Sequence, residues 1–436
     1  MSQPAFSTQL SHIARRFYET IATVNLPVYR ASTVLFDSLA AAARAGHDSS
    51  GGVGTRHASS YGTAGTPTTY ALMDALAELE GAGAACRAAL MPSGLAAIST
   101  ALLAFLKPGD HLLMSDSVYG PARMFALGML KRLGVETTFY VPAADAAAVA
   151  ALIRPSTRVL YLESPGSYTF EIQDVPALAA LARARGIVSM IDNAWASPVF
   201  SRPFEWGVDL SILPLTKYWG GHSDVLMGAV VTREEHWPRL WGAVRELGMC
   251  VGGDDAFLIL RGLRTVEVRM HRHQETALEV AHWLDERPEV GRVLHPALPS
   301  HPGHAWWRRD FSGSSGLFSF ALDPALFALP GSGEQGAEGP GNAAQGAAEP
   351  TSSPIAMDPA RVARGLAALC EGRRHFGIGY SWGGYESLIM PAGISSLRGV
   401  APWTGGPLLR LHCGLEDPTD LIADLEEGLD AMLSVA

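Results

Sequence analysis

A lone lysine, Lys217, follows the apolar run that opens "LPLTKYWGGHSD" (213–224) and stands just ahead of two glycines. An ammonium at the end of a buried strand is costly without a partner. The position therefore asks either for solvent at the tip of the side chain or for a group that reacts with an amine. Asp192 closes a second apolar run, "IVSMIDN", and sets a carboxylate at the end of another strand. "MPSGLAAIST" places Ser93 and Gly94 between a strand and a helix, where free backbone N–H groups and the helix dipole suit a phosphate. "SVYGPAR" puts Tyr119 in the loop after the next strand, with Pro121 opening a helix. Arg410 is an isolated cation in the apolar "PLLRLHCG", and its fork matches a carboxylate.

Each feature also has an ordinary reading. Lys217 and Asp192 would serve as a structural ion pair, Ser93 as a plain helix N-cap, and Tyr119 as core filling. Together, however, they form a kit for one cofactor, pyridoxal 5'-phosphate (PLP). Its aldehyde needs an amine, its pyridine nitrogen a carboxylate, its phosphate an anion cradle and its ring an aromatic cover. Lys217, Asp192, Gly94 with Thr216, and Tyr119 meet those needs in turn.

These residues need a frame. From about residue 85, short apolar strands alternate with helical segments: "AALM", "GLAAISTALLAFL", "HLLMS", "PARMFALGMLKRLG", "VETTFYV", and so on to "VLMGAVV". Such alternation predicts an α/β chain with a mostly parallel sheet covered on both faces, and ligands collect at the carboxyl ends of its strands. One long helical stretch, "DDAFLILRGLRTVEVRMHRHQETALEVAHWLDERPEV", then leads to a smaller α/β domain. The expected division is an N-terminal arm over 1–66, a large cofactor-binding domain over 67–262 and a small C-terminal domain over 263–436. The Gly/Ala/Glu/Pro-rich segment 330–354 reads as a disordered surface insertion. Its formal GxGxxG, Gly331 to Gly336, has neither a strand before it nor a helix after it, so it does not read as a dinucleotide site.

With 436 residues, 48% of them hydrophobic, the chain has ample material for a core. Its net charge of −10 argues against binding nucleic acid or anionic membranes. Small molecules are the expected partners. Four scattered cysteines (Cys86, Cys250, Cys370, Cys413) give neither a CxxC pair nor a zinc spacing, which indicates a reducing compartment. His271 and His273 lie two apart on a helix and do not share a face, so no metal site is expected. The N-terminus has no signal-peptide core, and no stretch is long enough to span a bilayer, so the expected location is the cytoplasm.

Several motifs in order, "ESPGSYTFEIQDVPAL", "IDNAWASP", "TKYWGGHSD", "LRGLRT", "GSSGLFSF", "GYSWGGYESL" and "LRLHCGLED", resemble the cysteine/methionine-metabolism family of PLP enzymes, from about residue 20 to the C-terminus. The resemblance implies a fold-type I, PLP-dependent transferase-like architecture with a seven-stranded, mostly parallel large sheet. It also implies a homotetramer of dimers whose active sites are shared across the dimer. Tyr61 matches the tyrosine that reaches a neighbour's cofactor phosphate. Thr63 stands where the family often has an arginine, and Pro214 where many members have a phosphate-contacting serine, which leaves Thr216 as the hydroxyl donor. The carry-over adds Leu95 to Ser93 and Gly94 around the cofactor, and Tyr380, Ser381 and Trp382 to Arg410 around the substrate, with Tyr61 and Tyr119 assisting Lys217 in proton transfer. "YSWGGYES" (380–387) is most similar to the members that cleave the thioether cystathionine by β-elimination. That reaction, in transsulfuration and methionine biosynthesis, is the implied activity. A γ-lyase, a γ-synthase, a broad S-conjugate lyase and an inactive regulatory protein on the same fold are its rivals.

Overall fold

The computed structural model describes residues 5–14, 23–49, 57–329, 355–394 and 397–435. The segment expected to be a disordered insertion, 330–354, lies outside the described residues, as do parts of the 1–66 arm. The described parts of that arm include helices Phe6–His12 and Leu39–Asp48.

Seven strands form the large sheet: β1 (Cys86–Met91), β2 (His111–Ser115), β3 (Glu136–Tyr140), β4 (Thr157–Glu163), β5 (Val188–Asp192), β6 (Leu210–Leu213) and β7 (Gly228–Arg233). Their spatial order is β1-β7-β6-β5-β4-β2-β3. Only β7 runs against its neighbours. Alternate residues of one strand serve opposite faces, and both faces are dry. Leu112, Met114, Val159, Tyr161 and Met190 enter the core on one side. Leu113, Leu160, Leu162 and Ile191 pack on the other with Val175 and Leu178 of helix Val175–Ala184. These strands read as continuous apolar runs for that reason.

This topology brings the carboxyl ends of β1, β2, β3, β4, β5 and β6 to one edge, together with the amino end of the reversed β7. Gly228, the first residue of β7, packs on the turn that follows β1: a Cβ there would lie 2.3 Å from the Ser93 carbonyl oxygen. Ser93 caps helix Gly94–Phe105 by accepting from Ala96 N–H at 3.1 Å.

The second sheet contains β8 (Val290–Leu294), β9 (Leu317–Leu322), β10 (Phe376–Gly377), β11 (Ser387–Pro391) and β12 (Leu408–His412), in the order β10-β11-β12-β9-β8. It has its own core, in which Phe318, Phe320, Leu409 and Leu411 meet Leu421, Leu425 and Leu429 of helix Pro418–Leu433. The stretch expected as one long helix is two, Gly253–Leu263 and Val266–Asp285. At the break the Gly262 carbonyl accepts from Thr265 N–H and from the Arg269 guanidinium, which also holds the Tyr218 carbonyl at 2.8 Å. The buried guanidinium takes a carbonyl that a continuous helix would use, and ties the break to the segment bearing Lys217. Among the described residues, no helix is long and apolar enough to cross a membrane.

Replacing Gly228 by alanine sets a methyl against backbone that cannot rotate away. It should destabilise the protein by about 1 to 3 kcal/mol, as overpacking does. Equilibrium denaturation will read the loss, and cofactor retention should fall with it because the Ser93–Gly94 turn is displaced.

Candidate active site

Asp192 is the last residue of β5, and Lys217 lies four residues beyond the end of the neighbouring β6. The Lys217 Nζ donates to Ser381 Oγ at 2.6 Å and lies 4.9 Å from the centre of the Trp382 ring. Ser381 also presents its carbonyl to Arg410 Nη2 at 3.1 Å. One residue of the loop before β11 thus joins the amine after β6 to the guanidinium in the middle of β12. Ser381 occupies the left-handed region, with φ at 73°, a costly backbone state for a residue with a Cβ and one that gathers at functional sites. Gly383 lets this loop touch the lysine segment, since a Cβ there would stand 2.8 Å from Tyr218 N. Its N–H donates to His412 Nε2 at 3.1 Å.

The charges are arranged unevenly. Burial first, and then the charge of Arg410, lower the Lys217 amine to about 8, with Asp192 opposing both. The neutral amine is accordingly well populated near pH 8. Burial raises the Asp192 carboxyl to about 7, against the Ala194 N–H bond and the pull of Lys217. Its Oδ1 is buried and has no hydrogen-bond partner among the described residues. Burial lowers the Arg410 guanidinium, against the opposing influence of Tyr168 and Tyr119, and the Arg410 Cζ lies 5.7 Å from the centre of the Tyr168 ring. Tyr119 is 43% exposed, and burial followed by Asp192 raises its hydroxyl.

The residues present fit PLP. The orphaned Asp192 oxygen is the acceptor that a protonated pyridine nitrogen requires. Lys217 supplies an amine that sheds its proton readily. The first turn of helix Gly94–Phe105 offers the N–H groups of Gly94 and Leu95, which have no acceptor within the helix. Thr216 Oγ1 accepts from Met227 N–H at 3.0 Å and donates to the Met227 carbonyl over a long 3.3 Å, a bond that an O–H rotation would release to a phosphate oxygen. Pro214 brings no donor to this cradle and packs beside Gly94. Two expected residues lie apart from the cluster. Tyr61 is 51% exposed, receives a bond from Ser32 Oγ at 3.1 Å, and lines a separate cleft of about 450 Å³ with Thr63, Ala64 and Arg245. Tyr380 is 85% exposed, on the solvent side of the Ser381 loop.

Residues 7–330 match the family described as Cys/Met metabolism PLP-dependent enzymes. The chain belongs to that family. It is 42% identical to the cystathionine beta-lyase of Bordetella avium, over 94% of this chain and 92% of the relative. With the cystathionine beta-lyase MetC of Escherichia coli K12 it shares 40% identity, over 98% of this chain and 99% of the relative. A crystal structure of cystathionine gamma synthase from Xanthomonas oryzae pv. oryzae in complex with cystathionine superposes with a TM-score of 0.80 at 29% identity, each chain covered fully. The expected fold-type I architecture with its seven-stranded large sheet is therefore the fold of this PLP enzyme.

Sequence reasoning passed over two residues of this enzyme's site. Glu163, the last residue of β4, is buried beside Asp192 and accepts from Tyr119 N–H at 2.7 Å. Tyr168, with φ at 68°, stands over Arg410. Both lie in the quoted "ESPGSY", and the usable signal was a carboxylate ending an apolar run, the same signal that singled out Asp192. Arg398 holds the Tyr168 loop through the Ser167 carbonyl at 3.1 Å, Thr169 and Glu171. It comes from the far domain, and no local pattern announces it.

The lowered Lys217 amine has a testable consequence. Only the neutral amine attacks an aldehyde, so uptake of PLP by the apoenzyme should accelerate as pH rises and level off above about pH 8. An ordinary lysine would keep gaining past pH 10. Stopped-flow absorbance of apoenzyme mixed with PLP measures this.

Proposed function

We propose that this enzyme is a carbon–sulfur β-lyase that cleaves cystathionine to homocysteine, pyruvate and ammonia. The observation that carries the reading is the Ser381 junction, which holds the Lys217 amine at 2.6 Å and the Arg410 guanidinium at 3.1 Å. A base and a carboxylate holder are thereby placed at opposite ends of one amino-acid-sized site. The relatives named as β-lyases, at 40% and 42% identity, support β-elimination over the γ-synthase chemistry of the 29% identical structure.

Arg410 holds the substrate α-carboxylate, with Ser381 and Trp382 beside it and Tyr380 at the outer rim. Lys217 removes the Cα proton at Nζ, and the hydroxyl of Ser381 orients that amine between strokes. The bound cofactor supplies an electron sink for the pair left by the broken C–H bond. Asp192 would keep the proton on the ring nitrogen, Tyr119 would cover the ring, and Ser93, Gly94, Leu95 and Thr216 would hold the phosphate. Tyr119, or Tyr61 from a neighbouring subunit, helps to deliver a proton to the departing sulfur. We further propose a cytoplasmic homotetramer with sites shared across each dimer. The exposed position of Tyr61, in a cleft it lines with Thr63 and Arg245, supports this sharing. The domain division at about residues 66 and 262 and the small-molecule thioether as sole partner are part of the same proposal.

Incubation with cystathionine should yield pyruvate, identified by chromatography of the keto acids; 2-oxobutanoate in its place would make the enzyme a γ-lyase. Lys217→Ala should abolish turnover, and borohydride reduction of the wild type should leave the pyridoxyl label on residue 217. Arg410→Ala should lower kcat/KM for cystathionine roughly 100-fold, mostly through KM, since a charge-assisted carboxylate contact is lost.

A further inference from the structure

Glu163 and Asp192 are Cα partners at the ends of the adjacent parallel strands β4 and β5, and both are buried. Two carboxylates side by side in a dry site cannot both ionise cheaply, so one keeps a proton. Their remaining contacts decide which. Glu163 Oε2 already accepts from Tyr119 N–H at 2.7 Å. Asp192 Oδ1 has no hydrogen-bond partner among the described residues, so it is the oxygen still open to an incoming cation. The charged and titratable groups around the pair are Lys217 on the Asp192 side, and Arg398, Glu171, Tyr119 and the buried Tyr161 around the two carboxyls. Arg398 is itself engaged by Glu171, Thr169 and the Ser167 carbonyl, which among the described residues leaves Glu163 without a cation of its own in hydrogen-bond contact.

We propose that Glu163 is a positioning residue that works as a neutral carboxylic acid: one oxygen holds the Tyr119 backbone, while its retained proton leaves Asp192 alone to carry the charge required by the cofactor ring nitrogen. The proposal rests on PLP occupying the Lys217 site. Burial and the Asp192 charge both push the Glu163 carboxyl well above its ordinary range, in agreement with this division. Tyr119 begins helix Gly120–Phe125, so anchoring its N–H sets where that helix starts and where the ring can lie. A charged Glu163 would compete with Asp192 for the proton of the ring nitrogen. A neutral one does not.

The test compares Glu163→Gln, a neutral group of the same shape that still accepts from Tyr119 N–H, with Glu163→Ala. In holoenzyme the Gln variant should keep PLP affinity within about 3-fold and preserve the visible circular dichroism of the bound cofactor. The Ala variant should loosen PLP about 10-fold and alter that dichroism, since a buried N–H is left without an acceptor. Infrared difference spectroscopy of holoenzyme should show a protonated carboxyl C=O band that disappears in Glu163→Gln. The idea is overturned if Gln weakens PLP as much as Ala, if Ala changes nothing, or if no such band depends on residue 163. Should the Ala variant fail to fold, the Gln affinity and the infrared band decide between the same outcomes. Borohydride labelling of residue 217 separates failure of this idea from failure of the PLP assignment, because it reads Lys217 without regard to Glu163.

Discussion

Partial burial of a single amine near an arginine and an aspartate sets the terms for everything else at this site. Desolvation alone disfavours the ammonium form of Lys217, and Arg410 adds to that pressure while Asp192 relieves part of it. The result is a lysine able to act as nucleophile and base near neutral pH. Without the dry walls, which include Trp382 and the packed end of β6, the amine would be an ordinary solvated cation. Burial also raises the Asp192 carboxyl, whose Oδ1 has no hydrogen-bond partner among the described residues. Such a pair is poorly stabilised on its own and well prepared to receive a ligand that is both electrophilic and cationic.

The two domains divide the work. The large sheet aligns Asp192, Lys217 and the Ser93 turn, because six carboxyl ends share one edge and the reversed β7 closes against the Ser93 turn. The small domain contributes Ser381 and Arg410, which meet the Lys217 amine through the Ser381 hydroxyl, with the Ser381 carbonyl on Arg410. Its hold on the large domain is not diffuse. Gly383 rests on the backbone at Tyr218, Arg269 clasps the Tyr218 carbonyl, and Asp116 at the end of β2 accepts from Gly399, Val400 and Ala401 N–H. Asp116 also pairs with the buried Arg123 at 2.6 Å, so one carboxylate steadies both the Tyr119 helix and the loop that carries Arg398. A shift of the small domain would consequently reach the lysine segment, the aromatic cover and the Tyr168 loop together.

Thr63 and Pro214 bring no cation to the turn that begins helix Gly94–Phe105. The cradle that remains rests on backbone N–H groups at the start of helix Gly94–Phe105, a helix of twelve residues, and on one hydroxyl. Backbone donors do not depend on side-chain identity. A phosphate site built on them tolerates the loss of a nearby arginine better than one built on cations, at the expense of long-range attraction for the anion.

Local chemistry made much of this legible. Apolar runs marked β4, β5 and β6, and a charged residue closing such a run marked Asp192 and Lys217, because strands buried on both faces tolerate charge only at their ends. The Ser-Gly turn after β1 and the proline after Tyr119 announced helix starts by capping rules that operate within a few residues. The helix break at Arg264–Thr265 was hidden, since it depends on Arg269 reaching carbonyls that become available only when the chain packs. Glu163 carried the same signal as Asp192, but its significance comes from the register that sets the two carboxyls side by side. Likewise, nothing near residue 381 reveals that its hydroxyl and carbonyl will join an amine 164 residues earlier to a guanidinium 29 residues later. The sequence by itself determined which residues are able to do chemistry and which ends of strands they occupy, because burial periodicity and capping are local. Only the tertiary structure decided which of them share a dry space, because desolvation and Coulomb coupling depend on distances that strand order and domain packing create.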